Sequence, residues 1–319
     1  MKTTRSLSTI AITTALVLSA CGGSDSASDP TNGVTNPTIN VGHTAEPISQ
    51  LLAEVYGQAL ESAGFRVGRK DSSADRAATN AGLESGSLQL VPEESGPLLA
   101  SLGAESPATP TTAPTDTTAG TGEPTTTIGT TAELPGAVQV AAMNAALSDT
   151  LTVNGAAAAV TTPTVACTTS AVEASSLTDI SSLAAAAGDV TIGVPADFDI
   201  DQLATAYGAT FTTSVVDESG AADAIAAGTD CVVVTAVSPV IVTAGLLALD
   251  DDLAAIPVSV VAPIAAVSVS APDLIAVLAQ VNNALTTNVL RALLVKAEDG
   301  TTSYDVVAKQ FLATLSNGQ

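Results

Sequence analysis

His43 is the only histidine in the chain. Any imidazole base, triad or histidine-bound metal therefore has one place to be. It follows Gly42 at the end of an apolar strand-like stretch, where loops carry function. It is a candidate to hydrogen-bond a ligand; as a metal ligand it would need carboxylate partners. Glu46 and the adjacent pair Glu93 and Glu94 form a second candidate group. Carboxylates can attract a cation, or lie on a solvated face. Asp250-Asp251-Asp252 is a third acidic cluster, read here as a solvated turn rather than a calcium site. There is no Gly-x-Ser-x-Gly elbow, phosphate loop or zinc spacing. An enzyme would rest on His43 alone, so neither catalysis nor a cofactor or metal is expected.

Composition narrows the classes further. The chain has 319 residues with 9 Lys and Arg against 32 Asp and Glu, a net charge of −23. Nucleic acid is excluded as a partner, because phosphate neutralisation needs clustered cations. The apolar fraction of 46 % is ordinary for a folded protein, which excludes general disorder. The length suits two domains, each able to bury a core.

Lys2 and Arg5 precede an uncharged stretch, Leu7 to Leu18, that is too short to span a bilayer comfortably. Residues 1–20 read as a secretory signal peptide. Leu18-Ser19-Ala20-Cys21 resembles the lipobox of bacterial lipoproteins. That resemblance implies cleavage before Cys21 and a lipid on its sulfur, anchoring the chain to the outer face of the cell membrane. Residues 21–38 are rich in Gly, Ser, Asp and Asn, as a flexible tether requires. With Cys21 acylated, Cys167 and Cys231 remain as a pair. In an oxidising compartment they form a disulfide, or else serve as two small buried apolar residues.

Two uncharged runs, Cys231 to Leu249 and Leu253 to Pro272, have the length of a membrane span. They contain Pro239, Pro257 and Pro263, are rich in Val, and are flanked by Asp rather than Lys or Arg. Short buried strands are the expected reading.

The elements that must position these residues alternate. Thr38 to Gly42 reads as a strand, Pro47 to Ala63 as a helix with its apolar residues on one face, and Phe65 to Val67 as a strand. Further strands are expected at Leu88 to Val91, Leu151 to Val153, Val190 to Gly193, Phe211 to Val216 and Cys231 to Val234. Helices are expected at Ala137 to Leu147, Leu177 to Ala187, Ile200 to Tyr207, Ala221 to Ala227, Asp273 to Leu285, Thr287 to Lys296 and Tyr304 to Leu315. Residues 107–131 are a low-complexity, Thr-rich insertion, which cannot build a core and could carry O-linked sugars or none. The alternation predicts an α/β fold.

Ile39-Asn40-Val41-Gly42 and Leu52 to Val67, taken with Leu83 to Leu99, Ala166 to Leu183, Gly228 to Pro239 and Leu285 to Leu312, resemble in order the substrate-binding proteins of ABC importers for quaternary amines. These are the glycine betaine, choline and carnitine receptors, a family of osmoprotectant transport. The resemblance implies a two-lobed type II periplasmic-binding-protein fold with two interlobe crossovers. Lobe I would comprise 39–153 and 239–319, and lobe II 154–238. It also implies a solute captured between the lobes, an ABC permease and ATPase as partners, and a monomer.

Matching the family's segments places ligand contacts at His43, Thr44, Glu46, Glu93, Glu94, Ser95, Thr161, Thr162 and Ser238, with Phe198 reaching the cleft. The same match exposes a departure. Quaternary ammonium groups favour aromatic faces, yet both tyrosine positions of the family's Tyr-Pro-Glu-Tyr-Thr-Gly string are lost in Val91-Pro92-Glu93-Glu94-Ser95-Gly96. Tyr56 and Phe311 lie on apolar helix faces and belong to the core. Two functions compete. One is a receptor for a small zwitterionic or cationic osmolyte. The other is a non-transport surface lipoprotein that keeps the shell with a narrow or filled cleft.

Overall fold

The computed structural model describes residues 37–107 and 135–316. The expected leader, Cys21, nearly all of the expected tether, and the insertion beyond Pro107 lie outside the described residues.

The chain opens with β1 (Ile39–Val41), helix Pro47–Ser62, β2 (Val67–Arg69), helix Arg76–Glu84, β3 (Leu90–Glu94), helices Ser95–Ser101 and Pro135–Ala146, and β4 (Leu151–Val153). It then crosses to β5 (Pro163–Cys167), helices Thr169–Ser175 and Ile180–Ala185, β6 (Thr191–Val194), helix Ile200–Tyr207, β7 (Thr212–Val215), helix Ala221–Ala226, β8 (Cys231–Thr235), helix Val240–Thr243 and β9 (Leu247–Ala248). It returns as β10 (Val261–Ala266) and ends in helices Pro272–Ala284, Thr287–Ala297 and Tyr304–Ser316. Two five-stranded sheets result, ordered β2-β1-β3-β10-β4 and β7-β6-β8-β5-β9. β1 is parallel to β2 and β3, and β6 to β7 and β8, while β10 and β5 run antiparallel to their neighbours.

The two apolar runs centre on two inner strands. All six residues of β10 are buried, as are the first four of β8. A strand covered on both faces reads as a continuous apolar run rather than an alternation. Pro263 faces Pro92 across β10 and β3. The pair occupies the non-hydrogen-bonded register position, so the missing N–H groups cost the β3–β10 ladder no bond. Among the described residues, no helix is long and apolar enough to cross a membrane.

Each sheet is covered on both faces. Helix Pro47–Ser62 buries Leu51, Leu52, Val55, Tyr56 and Leu60 against Leu274, Leu278, Leu290, Leu294 and Phe311 of the C-terminal helices. The other face of this sheet packs Val91, Leu98, Leu99, Met143 and Ile264. Tyr56 is fully buried and donates to Asn282 Oδ1 at 2.6 Å, satisfying its hydroxyl within the core. The second sheet buries Val165, Ile192, Leu203 and Val233 on one side and Val232, Val234, Ile241 and Leu246 on the other.

The crossovers, residues 154–162 and 257–260, run side by side in opposite directions. Val160 bridges Val260. Thr161 N donates to Ser259 O at 2.8 Å, Ser259 N to Thr162 Oγ1 at 2.9 Å, and the Thr161 and Ser259 hydroxyls lie 3.0 Å apart.

The structure corrects three expectations. Residues 239–256 stay with the second sheet instead of rejoining the first. β9 pairs with β5, Leu249 and Ile256 join that core, and Ile241 and Leu246 pack on Val232 and Val234. The return crossing therefore falls near residues 257–260. Second, the helix expected over Leu177 to Ala187 starts at Ile180. Asp179 caps it, accepting from Ser182 N at 2.7 Å while Ser182 Oγ accepts from Asp179 N at 3.1 Å. Third, the strand expected at Phe65 to Val67 begins at Val67, because Phe65 turns to pack on the first core.

Candidate functional site

β3 ends in two adjacent carboxylates, and the strand's alternation sends them to opposite sides. Glu93 points inward. It is 4 % exposed, accepts from Arg76 Nε at 2.8 Å and from Thr79 Oγ1 at 3.4 Å, and its pKa is raised by burial against that pairing. Glu94 points into a cleft between the two lobes. Burial pushes its pKa up to about 7, helped by the charges of Glu93 and Glu46 and opposed by Arg76 and a hydrogen bond from Thr161.

Directly after Glu94 the chain turns into helix Ser95–Ser101. Pro97 sits in its first turn, where no N–H is needed. Gly96 abuts the return crossover. A Cβ there would come 3.1 Å from Ser259 Cβ, and Gly96 N donates to Ser259 Oγ at 3.1 Å. Glycine thus lets the first lobe's wall meet the hinge.

The cleft has a volume of ≈ 910 Å³. Its far wall comes from loops at the carboxyl ends of the parallel strands β6 and β7, the position where open α/β sheets usually bind ligands. These loops bring Asp197, Phe198 and Asp199, and Asp217 and Glu218. Thr161 and Ser259 of the crossovers, with Pro163 at the start of β5, form its floor, and Glu94, Pro97, Glu105 and Ser106 its near wall. Asp199 caps helix Ile200–Tyr207, accepting from Gln202 N at 2.9 Å, and Glu218 accepts from Thr235 N at 3.2 Å and Thr235 Oγ1 at 2.9 Å. Among the described residues the lining holds six carboxylates (Glu94, Glu105, Asp197, Asp199, Asp217 and Glu218), one aromatic ring, and no Lys, Arg or His. Its field favours cations.

Of the residues expected to contact ligand, the structure brings together Glu94, Thr161 and Phe198. The others do not line the cleft. His43 donates from Nδ1 to the Thr44 carbonyl at 2.8 Å. Thr44 and Glu46 border a separate depression with Asp75 and Arg76. Glu93 serves Arg76. Ser95 is buried, and its Oγ accepts from Val260 N at 3.0 Å. Thr162 uses its hydroxyl on the hinge, and Ser238 is buried in the turn after β8, donating from N to Thr235 O at 2.9 Å.

Sequence reading missed Glu105, Asp197, Asp199, Asp217, Glu218 and Ser259. For the Asp197 and Asp217 loops a signal existed: both acidic stretches follow a segment read from the sequence as a strand.

Two remaining expectations concern staples. Cys167 and Cys231 stand opposite each other in β5 and β8 and are joined by a disulfide. The Asp250–Asp252 turn is tied into the fold. Asp251 accepts from the Tyr207 hydroxyl at 2.5 Å and from Ala255 N and Ile256 N, and Asp252 accepts from Ser181. Among the described residues, no three His, Cys, Asp or Glu side chains converge as a metal site.

Solved structures share this architecture. A glycine betaine/carnitine/choline ABC transporter structure is 15 % identical, with 88 % of this chain and 98 % of that one covered, at a TM-score of 0.73. Apo YehZ from Escherichia coli is 18 % identical, with 87 % and 98 % covered, at 0.67. Lactococcal OpuAC, closed around glycine betaine, is 13 % identical, with 88 % and 96 % covered, at 0.53. At such identities the likeness carries the two-lobed fold. No curated protein matches the chain significantly. The model of one family, the substrate-binding domain of ABC-type glycine betaine transport systems, matches residues 37–314. With that match over nearly the whole described body, and two lobes around an open acidic cleft, the chain belongs to this family of ABC-importer substrate-binding proteins.

Proposed function

We propose that this chain is a lipid-anchored receptor that captures a small cationic solute in its interlobe cleft and delivers it to the permease and ATPase of an ABC importer. The observation that carries the reading is the lining: six carboxylates with no cationic side chain among them. The glycine betaine and choline bound by structurally similar proteins support the size of the solute and its cationic nitrogen. The lipobox-like string ending at Cys21 supports anchorage outside the membrane, and a monomer suffices because both walls come from one chain. The alternative, a shell with a filled cleft, is disfavoured by the open volume of ≈ 910 Å³.

A ligand that binds only the native state stabilises it by about 2.7 kcal/mol at a hundred times its Kd. For a chain of this size that raises Tm by roughly 5–10 °C. A thermal-shift screen over choline, glycine betaine, carnitine, proline and cationic amines is expected to show at least one such rise. Silence across the whole set would refute the receptor reading.

A further inference from the structure

The cleft's lining says more about the ligand than its charge. Quaternary ammonium groups cannot donate hydrogen bonds and are held by several aromatic faces at once. The chain has seven aromatic residues, and the structure accounts for all of them. Tyr56 and Phe311 are core, and Phe65 and Tyr304 pack against that core. Tyr207 and Phe211 pack on the second lobe's core, with the Tyr207 hydroxyl committed to Asp251. Only Phe198 lines the cleft. No cage can be assembled.

A zwitterion's carboxylate would be repelled by the carboxylates of the lining unless a cation offset them. Among the described residues none lines the cleft, and Arg76 is engaged by Glu93. The Thr-rich segment 108–134 contains no Lys or Arg to supply one.

What the cleft does offer is hydrogen-bond acceptors spread over two walls. Glu94 and Glu105 stand on one side, and Asp197 and Asp217 on the other. Their dispersal is matched by the absence, among the described residues, of any convergent group of three metal-ligating side chains. Ser106 Oγ, also in the lining, is a buried oxygen with no hydrogen-bond partner among the described residues. A buried polar atom of this kind is available to an ordered water or to a ligand's N–H.

We propose that the cleft selects extended amines with several protonated N–H groups, that is, linear di- and polyamines, over quaternary ammonium compounds and zwitterions. Separated carboxylates match separated charges, and each ammonium donates the charge-assisted hydrogen bonds that a trimethylammonium group cannot. An extended chain also fills a cleft of ≈ 910 Å³ better than a compact ammonium ion does. This inference rests on the receptor reading above.

Calorimetric titration of the purified full-length chain at pH 8 tests it, with putrescine, spermidine, choline and glycine betaine as probes. Salt of about 0.15 M screens loose surface binding. The expected result is one spermidine or putrescine per chain, bound at least about tenfold more tightly than choline or glycine betaine. Asp197→Asn is expected to weaken polyamine binding about tenfold. The paired exposed substitutions Asp149→Asn and Asp189→Asn, away from the cleft, are expected to leave it unchanged. Choline or glycine betaine binding more tightly than both polyamines would overturn the inference and leave the receptor reading standing. So would polyamine binding with many sites per chain, or binding weakened equally by the distant pair. Silence from all four probes, together with a silent thermal-shift screen, would bring down the receptor reading as well.

Discussion

Replacing Glu94 with Gln is expected to weaken cation binding about a hundredfold at pH 8 and, at the same pH, to raise the Tm of the ligand-free protein. Removing one partner of a desolvated charge pair typically costs about 2–5 kcal/mol of binding, and Glu94 is the half-buried carboxylate at the junction of wall and hinge. The same burial makes its charge costly when the cleft is empty. With a folded pKa of about 7 against an ordinary value of 4.5, the folded state holds a proton that the unfolded chain has released. Ligand-free stability therefore falls as pH rises from the ordinary carboxylate range to about 7, and is level above it. Glutamine removes that fall, worth about 1–3 kcal/mol. Affinity runs the other way. If only the ionised form binds a cation, affinity rises about tenfold between pH 6 and pH 8, and Glu94→Gln flattens the rise. Titrations of both proteins at the two pH values check this. Wild-type affinity in Glu94→Gln at pH 8 would remove this residue from the site.

Reduction of the Cys167–Cys231 disulfide is expected to lower Tm by about 10 °C. The bond closes a loop between residues 64 apart in sequence. Chain entropy values such a loop at about 4 kcal/mol, and a chain of this size loses about 2–4 °C per kcal/mol. Melting curves with and without reductant measure the loss, and the double variant Cys167→Ala, Cys231→Ala should melt near the reduced protein. The cysteines lie at the end of β5 and β8 opposite Pro163 and Thr235, which line the cleft. Reduction at temperatures well below Tm should therefore leave ligand affinity nearly unchanged. An identical Tm after complete reduction would show that the bond adds no stability.

The elements were legible because each carries a local pattern. Leu151–Val153 and Ile200–Tyr207 fall where the sequence puts them. The two long apolar runs hold the buried strands β8 and β10, as their Pro, Val and flanking Asp suggest, but the first also carries helix Val240–Thr243 and the exposed β9. What failed was everything that depends on contacts between distant segments. Nothing local in Val240 to Leu246 says which sheet it covers. That was decided by Val232 and Val234, so the lobe boundary was placed too early.

The site divided in the same way. Glu94 and Thr161 were reached through the family's segments, but Ser95 and Thr162, their neighbours, are occupied with the hinge. Whether a hydroxyl faces a ligand or the opposite crossover is a matter of tertiary contacts. Likewise, the alternation of β3 separates Glu93 from Glu94, but only the position of Arg76 decides which of them faces inward. The acidic far wall was within reach of sequence reasoning, since its loops follow β6 and β7.

A crystal structure of the chain grown with its tightest-binding cation would test the central idea directly. The account requires electron density for the solute between the lobes, with its nitrogen within hydrogen-bonding or ion-pair distance of Glu94 and of at least one acidic side chain from the Asp197 or Asp217 loop. Density confined to the depression beside Thr44 and Arg76, or a cleft that stays empty at saturating solute, would contradict it.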